Sequence, residues 1–166
     1  TVEGAGATSS PAIADLDPNY SGIEVVVGTL DRKVYAWHAN GTVVSGWPKT
    51  VGERVESSPA IADIDPNYLG LEVVVGSNDH NVYAWHADGT PVSGWPKTVG
   101  DRVDSSPAIA DLNNDGALEI VVGSSDYKVY VWTLPYVVSD QTPWPMFRHD
   151  PERTGFYGTP SNRAPV

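Results

Sequence analysis

The stretch Ser9-Ser10-Pro11-Ala12-Ile13-Ala14-Asp15 returns unchanged at residues 57–63 and again at residues 105–111, a spacing of 48 residues each time. A fixed period of this length indicates a repeat architecture in which each unit is one supersecondary element. The first two copies, residues 9–56 and 57–104, differ at 11 of 48 positions. Such sameness predicts that each copy packs between similar neighbours.

Each copy contains short runs rich in β-branched and aromatic residues. Residues 23–28 read Ile-Glu-Val-Val-Val-Gly and residues 33–37 read Lys-Val-Tyr-Ala-Trp, with a polar stretch between them, which predicts a β-hairpin. The tight-turn dipeptide Asn40-Gly41 leads into a further extended segment that contains Gly46-Trp47-Pro48. With the Ser-Pro-Ala-Ile-Ala segment in front, each copy is predicted to form four antiparallel strands.

The Val-Val-Val runs do not alternate apolar with polar residues, so they indicate strands that are covered on both faces. Four strands in a period of about 40 to 50 residues are typical of a β-propeller blade. The predicted fold class is therefore all-β, with antiparallel blades at residues 9–56, 57–104 and 105–158. Pro48 and Pro96 cannot donate to a strand ladder, which places their segments at the outer edge. A parallel β-solenoid is the competing architecture, but its rungs are usually much shorter than these repeats.

The ends of the chain depart from the repeat. Thr1-Val2 precedes Ser9 as Thr50-Val51 precedes Ser57, so residues 1–8 resemble the end of a preceding repeat. The third repeat ends in a different sequence around Trp144 and is predicted to be a terminal blade with a cap, followed by a tail or linker at 159–166. Because closed propellers have about 4 to 8 blades, we expect further blades of a longer chain or other copies of this chain to complete the ring.

Composition excludes several classes of function. The chain has 10 Lys and Arg against 21 Asp and Glu, a formal net charge of -11 and no cysteine. Too few cations are present to displace the counterions of a nucleic-acid duplex, and disulfide scaffolds and thiolate metal sites are excluded. Its apolar runs fall far short of the 18 or more residues that a membrane span needs, so no membrane insertion is expected. The acidity points to solubility or to cation binding.

The third repeat contains an acidic loop, Asp-Leu-Asn-Asn-Asp-Gly-Ala-Leu-Glu, with oxygen ligands at its positions 1, 3, 5 and 9. Calcium takes about 6 to 8 oxygens, and alternate residues of a turning loop direct their side chains to one centre while glycine permits the bend. We predict that the ion is held by the side chains of Asp111, Asn113, Asp115 and Glu119 and by the carbonyl of Ala117.

The first two repeats carry a loop that is one residue longer but keeps the ligand order. The predicted metal ligands in these loops are Asp15, Asp17, Asn19 and Glu24, and Asp63, Asp65, Asn67 and Glu72. The prediction is one Ca²⁺ per repeat, up to three. The alternative is that Asp-Pro-Asn and Asn-Asp-Gly are only good turn formers, although three loops in phase favour the metal. Magnesium fits less well, because it seldom uses a cage made wholly of protein oxygens.

The order Ser-Pro-Ala-Ile-Ala-Asp, acidic loop, Glu-Val-Val-Val-Gly and Val-Tyr-Ala-Trp resembles the FG-GAP or VCBS-like propeller repeats of integrin α-subunit heads and secreted microbial proteins. The resemblance covers residues 9 to about 158. It implies that each acidic loop joins two blade strands and holds structural calcium. Two departures stand out: the literal Phe-Gly-Gly-Ala-Pro string is absent, and the extra residue leaves the backbone ligand of the two longer loops undefined.

Candidate side chains for catalysis or recognition are few. His38 and His86 occupy equivalent positions, where a repeated polar residue at a blade edge is expected rather than a catalyst. His149-Asp150, between Arg148 and Arg153, is an unrepeated cluster that we interpret as part of the cap, because no nucleophile motif accompanies it. The tryptophans of the Gly-Trp-Pro segments either stack on sugars or, the preferred interpretation, cover an edge.

The sequence thus predicts a non-catalytic, calcium-stabilised β-propeller module of an exported or cell-surface protein that mediates adhesion, carbohydrate binding or protein binding. Extracellular calcium is concentrated enough to occupy even weak loops, which favours this location. A structural subunit of an extracellular filament or ring, assembled through exposed blade faces, is one alternative. An accessory propeller of a polysaccharide-degrading enzyme is another.

Overall fold

The computed structural model describes residues 6–137 and residue 146, and this part of the chain is all-β, without a helix. Correspondingly, no helix among these residues is long and apolar enough to cross a membrane. The strands are β1 (Ala12–Ala14), β2 (Glu24–Gly28), β3 (Lys33–His38), β4 (Lys49–Thr50), β5 (Ala60–Ala62), β6 (Glu72–Gly76), β7 (Asn81–His86), β8 (Lys97–Thr98), β9 (Ala108–Ala110), β10 (Ala117–Ser124) and β11 (Lys128–Val137).

Each sequence repeat forms one antiparallel sheet. The strand orders are β1-β2-β3-β4, β5-β6-β7-β8 and β9-β10-β11. The register repeats as well, with Glu24 opposite His38 in the first sheet and Glu72 opposite His86 in the second. The predicted all-β fold with antiparallel repeat sheets is confirmed. The fourth strand predicted for the third repeat, around Trp144, lies outside the described residues.

The three sheets stack in chain order, with β1 beside β5 and β5 beside β9. Successive side chains of a strand point to opposite faces, so each sheet contributes to two cores. Val26 and Val34 of the first sheet share a core with Val73 and Trp85 of the second. On its other face, the second sheet joins the third in a separate core. All five residues of β6 are buried, which confirms that a non-alternating Val run is covered on both faces.

Hydrogen bonds join neighbouring repeats at matching positions. The backbone N–H of Ser10 donates to Ser58 Oγ at 2.9 Å, and that of Ser58 donates to Ser106 Oγ at 3.0 Å. The N–H of Leu30 donates to the carbonyl of Gly6, as the N–H of Asn78 donates to the carbonyl of Arg54. The same contact thus recurs every 48 residues, and the segment before the first sheet takes part in it.

Two of the tryptophans that precede proline, Trp47 and Trp95, pack between sheets. Trp47 is buried, its Nε1 donates to the carbonyl of Ala87 at 2.8 Å, and its ring meets that of Trp85 edge-on at 5.9 Å. Trp95 meets Trp132 in the same way at 5.7 Å. The expectation that these indoles cover a sheet edge is therefore wrong, because each one reaches the next sheet. The short strands that follow, β4 and β8, are edge strands, as the prolines predicted.

Candidate metal loops and an inter-repeat groove

The three acidic loops connect the first two strands of each sheet, so all three lie at the same end of the stack. Each loop is part of a β-hairpin, as expected from the sequence. The first two loops adjoin each other: a Cβ placed on Gly70 would lie 3.3 Å from Cδ of Pro18 and 3.4 Å from the carbonyl oxygen of Leu16. The first two loops are therefore in direct contact.

The third loop folds its carboxylates inward. Asp111 accepts hydrogen bonds from the backbone N–H of Asp115 at 3.2 Å and of Gly116 at 2.8 Å. Asp115 in turn accepts from the N–H of Ala117 at 2.8 Å. Asn114 and Gly116 both have positive φ, at 58° and 89°, which produces the tight bend. Each carboxylate oxygen in these bonds keeps a second lone pair for a further partner.

Glu119 lies at the base of the third loop and is buried. Its Oε2 accepts from the backbone N–H of Leu112 at 2.9 Å, whereas its Oε1 is buried without a hydrogen-bond partner. A buried acceptor without a partner is costly, most of all when it carries charge. Its register partner across the sheet is Thr133, at the position that histidine takes in the other two repeats. This orphaned oxygen fits a cation.

Glu24 and Glu72, predicted as ligands of the first two loops, are fully buried and already have partners. Oε2 of Glu72 accepts from the N–H groups of Ile64 at 2.7 Å and Asp65 at 3.2 Å, and Oε1 lies 3.0 Å from Nδ1 of His86. Burial raises the pKa of Glu72, and the hydrogen bond from His86 acts in the opposite direction. Glu24 makes the equivalent bonds. Their role as metal ligands stays a prediction.

A tyrosine from each longer loop covers the histidine of the same repeat. The Tyr68 ring stacks on His86 with centroids 3.6 Å apart and planes 10° apart, and Tyr20 stacks on His38 at 3.9 Å. Both histidines are buried, His38 at 9% exposure and His86 at 3%, so their interpretation as polar residues at a blade edge is wrong. This pairing could have been inferred from the sequence, because the two repeats with a loop tyrosine also have the histidine and the third repeat has neither.

The second loop has a further unsatisfied acid. Oδ1 of Asp63 is buried without a hydrogen-bond partner. The pKa of Asp63 is raised, mainly by burial and also by the negative charge of Asp65. Asp65 is itself buried and accepts two hydrogen bonds from Asn67, from its backbone N–H and from its side-chain amide. Two neighbouring carboxylates, one of them without a partner, are an arrangement that a cation would stabilise.

The donor sets fit calcium to different degrees. Over residues 6–137 and 146, no three His, Cys, Asp or Glu side chains come together as a ready metal cluster. The predicted third-loop set includes an amide and a backbone carbonyl, both of which are good calcium ligands. Asp111, Asn113, Asp115, Glu119 and the Ala117 carbonyl are hard oxygen donors on one short loop, and one of them is orphaned. The third loop is therefore the best-fitting site.

A groove of about 580 Å³ lies between the first two loops. Asp17 lines it from the first repeat, and Asn67, Tyr68, Leu69 and Asp88 line it from the second. Tyr68 is 46% exposed and Leu69 79% exposed, so they present apolar surface beside polar groups. No Lys or Arg is among the lining residues of this described groove. The groove suits a neutral or cationic ligand.

The remaining sequence candidates lie outside the described residues. These are the cluster of Arg148, His149, Asp150 and Arg153, and Trp144. Their interpretation as a terminal cap stays a prediction.

Part of the chain matches a protein-family model. Residues 71–122 match the family model of the FG-GAP-like repeat. The chain is similar to the crystal structure of the computationally designed Ika4 protein, at 19% identity over 67% of this chain and 60% of that one, with a TM-score of 0.50. BBS1N in complex with ARL6DN, soaked with lead, matches at 12% identity over 83% and 54%, with a TM-score of 0.36. No curated protein matches the chain.

The chain spans less than two thirds of the length of either solved chain. Likeness to Ika4 concerns the fold alone. The family match runs from the end of the second acidic loop through β6, β7, β8, β9 and the whole third loop, so it includes the best-fitting candidate metal site. The chain carries an FG-GAP-like repeat over residues 71–122, which confirms the resemblance seen in the sequence.

Proposed function

We propose that the chain is a non-catalytic binding module of an exported or cell-surface protein, built from β-propeller blades that calcium stabilises at their acidic loops. The observation that carries the proposal is the buried Oε1 of Glu119, which has no hydrogen-bond partner at the base of an oxygen-rich loop. Asp111, Asn113, Asp115 and the carbonyl of Ala117 would hold the ion together with Glu119. Bound calcium would balance the negative charge of the three carboxylates and give Oε1 of Glu119 a partner.

The chain's own residues prepare this loop for a cation. Hydrogen bonds from backbone N–H groups hold Asp111 and Asp115 in place, and the N–H of Leu112 fixes the Glu119 carboxylate through its other oxygen. The loop joins β9 to β10, so a rigid loop stabilises the pairing of the first two strands of the sheet. The buried Oδ1 of Asp63, which has no hydrogen-bond partner, supports a second ion in the second repeat. We extend the proposal to a third ion in the first loop, because its sequence keeps the same order of ligands.

Thermal unfolding tests the calcium proposal. An ion present at 100 times its Kd stabilises the folded state by about 2.7 kcal/mol, which raises Tm by roughly 5–10 °C in a chain of this size. We expect that shift in calcium relative to chelator, and a smaller one for Glu119→Gln. Glu53→Gln removes an equal charge from an exposed position outside the loops and serves as the matched control. Identical melting in calcium and chelator would refute the proposal.

The groove between the first two loops is the proposed binding surface, with a neutral carbohydrate as its ligand. Its volume lies in the range of about 300–1,000 Å³ that is usual for ligand sites. The exposed part of the Tyr68 ring offers a stacking surface, while Ser45 and Asp88, which are not predicted metal ligands, offer hydrogen-bonding groups. The described lining holds no Lys or Arg that could pair with the charges of a polyanionic sugar.

A glycan array followed by calorimetry tests the binding surface. Tyr68→Ala is expected to abolish carbohydrate binding without loss of fold. Tyr127→Ala is the control, because Tyr127 is fully exposed in the hairpin between β10 and β11, at the opposite end of its sheet. Equal binding by both variants would contradict the assignment. Turnover of a polysaccharide by the chain alone would contradict the non-catalytic part.

A further inference from the structure

Two short segments of the first repeat have the acceptor sequence of N-linked glycosylation, Asn-x-Ser/Thr with x other than proline. Residues 19–21 read Asn-Tyr-Ser and residues 40–42 read Asn-Gly-Thr. The equivalent positions of the second repeat read Asn-Tyr-Leu and Asp-Gly-Thr, so neither is an acceptor there. Because so short a pattern also occurs by chance, the structure around each asparagine decides whether it is a site.

Asn40 lies on the tight turn that follows β3. Gly41 has a positive φ of 83°, and its N–H donates to the carbonyl of His38 at 2.8 Å, which closes the turn. Asn40, Gly41 and Thr42 are all exposed. The turn therefore presents the whole acceptor sequence to solvent, where an enzyme can reach it without unfolding a strand.

The Asn40 amide is held by the third residue of its own acceptor sequence. Its Oδ1 accepts from the backbone N–H of Thr42 at 2.9 Å and from the Thr42 hydroxyl at 2.7 Å, which forms an Asx turn. Its Nδ2 carries two hydrogens and donates one of them to the Tyr20 hydroxyl at 2.7 Å. Among the described residues the other hydrogen has no acceptor, so a sugar can replace it without breaking a hydrogen bond.

The second repeat shows that a packed neighbour leaves this turn exposed. Asp88 accepts from the N–H of Thr90 at 2.8 Å and from its hydroxyl at 2.6 Å, as Asn40 does from Thr42. The backbone of the turn packs against the first repeat, since a Cβ on Gly46 would lie 2.8 Å from the carbonyl carbon of Asp88. Asp88 and Thr90 nevertheless stay exposed. The accessibility of Asn40 therefore does not depend on what precedes the first repeat.

Asn19 lacks the geometry of Asn40. Its backbone N–H donates to Oδ1 of Asp17 at 2.9 Å, and within the described residues no hydrogen bond joins its side chain to Ser21. It lies in the first acidic loop, where it is a predicted calcium ligand, and it lines the groove between the first two loops. Of the two acceptor sequences, the structure favours the one at Asn40.

We propose that Asn40 carries an N-linked glycan, attached while the protein is exported; this rests on the exported location proposed above. The donor is an oligosaccharide linked to a lipid diphosphate. Nδ2 of Asn40 loses one proton and forms a bond to the anomeric carbon of the sugar, while the bond from that carbon to the diphosphate breaks and the lipid diphosphate leaves with the electron pair. The remaining hydrogen of Nδ2 still donates to Tyr20. The glycan projects from the end of the sheet that carries the first acidic loop.

Secretion of the 166-residue chain by eukaryotic cells, behind a cleavable signal peptide, tests the proposal. We expect one glycan per chain, which peptide N-glycosidase removes. Because that enzyme converts the acceptor asparagine to aspartate, mass spectrometry of the peptides locates the site at Asn40. Thr42→Ala should abolish the modification, whereas Thr42→Ser, which keeps the hydroxyl, should retain it. Ser21→Ala is the matched control, because it removes the other acceptor sequence and should leave the glycan in place.

Asp88→Asn provides a test by gain of a site. It completes Asn-Gly-Thr in the turn of the second repeat, whose hydrogen bonds match those around Asn40. We expect this variant to carry two glycans. A variant that still carries one would show that the exposed turn does not select the acceptor, and would overturn the structural argument.

Two further results would overturn the proposal: a secreted chain that carries no glycan, and a chain modified at Asn19 instead of Asn40. Since the signal peptide imposes export, neither result depends on where the protein resides in its own cell. Fractionation of the source cells tests the proposed export separately, so a failure of the glycosylation site and a failure of the proposed function are distinguishable.

Discussion

Gly76 packs against the segment that links the second sheet to the third, and this contact leaves no room for a side chain. A Cβ built on Gly76 would lie 2.8 Å from both Cβ and the carbonyl oxygen of Val103, and closer still to its Cγ1. Val103 cannot easily move away, because it is fully buried and its N–H donates to the carbonyl of Ser77 at 3.1 Å. Gly28 meets Val55 in the same way in the first repeat.

Gly76→Ala is therefore expected to destabilise the fold. Overpacking in a close-packed core costs about 1–3 kcal/mol, and the lower chain entropy of alanine recovers roughly 0.5–1 kcal/mol of that cost. A contact that includes a backbone oxygen belongs at the upper end of the range, so the expected net loss is about 2 kcal/mol. In a chain of this size that corresponds to a Tm lower by roughly 4–8 °C.

Gly123→Ala is the matched control, because Gly123 is the equivalent residue of the third sheet. Among the described residues, its added Cβ meets only the side chain of Ser105, at 3.5 Å, which is an ordinary contact. We expect no loss of stability, or a gain of up to about 1 kcal/mol. Both variants are compared with the unaltered chain by urea unfolding at the same protein concentration. Equal effects of the two substitutions would refute the steric reasoning.

Three further predictions concern buried polar groups and inter-sheet packing. His86→Leu leaves Oε1 of Glu72 without a partner and is expected to lower the free energy of unfolding by about 3–5 kcal/mol, measured in urea. Thr133→Leu is the control, because Thr133 is the equivalent residue of the third repeat and is exposed; it should change the free energy of unfolding by less than about 1 kcal/mol. Burial and the hydrogen bond to Asp79 raise the pKa of Tyr83 from 10.0 to about 12. Folding therefore favours the neutral phenol, and this contribution to stability is complete below pH 10.0 and is lost as the pH rises through about 12. Tyr83→Phe should reduce this loss of stability in unfolding curves measured at alkaline pH. Trp47→Ala removes a buried ring and should lower stability by about 3–5 kcal/mol; a loss below 1 kcal/mol would show that Trp47 does not join the sheets.

The fold was readable from the sequence because identical units impose identical contacts. A 48-residue period with two β-rich runs and a turn dipeptide predicts one antiparallel sheet per repeat, and non-alternating runs such as Val25 to Val27 predict stacking. Contacts between repeats were not readable. Trp47 reaches Ala87 in the next sheet, and in a periodic sequence nothing distinguishes that partner from the same residue of its own repeat.

The candidate site was predicted only in part. Placement of the acidic loops in hairpins followed from their position between β-rich runs. The orientation of the glutamates did not, because the sequence cannot tell whether Glu72 turns to a metal or accepts from the backbone N–H of Ile64. The pairing of Glu72 with His86 depends on the register of β6 and β7, which places residues 14 positions apart directly opposite each other.

Calcium titration calorimetry on the 166-residue chain tests the central claim most directly, because it measures whether the acidic loops bind the ion at all. We expect saturable binding with at least one site per chain, and we expect Glu119→Gln to lose one of the sites while Glu53→Gln keeps them all. Absence of binding at millimolar calcium, or a Glu119→Gln variant with the same number of sites and the same affinities as the unaltered chain, would contradict the calcium proposal.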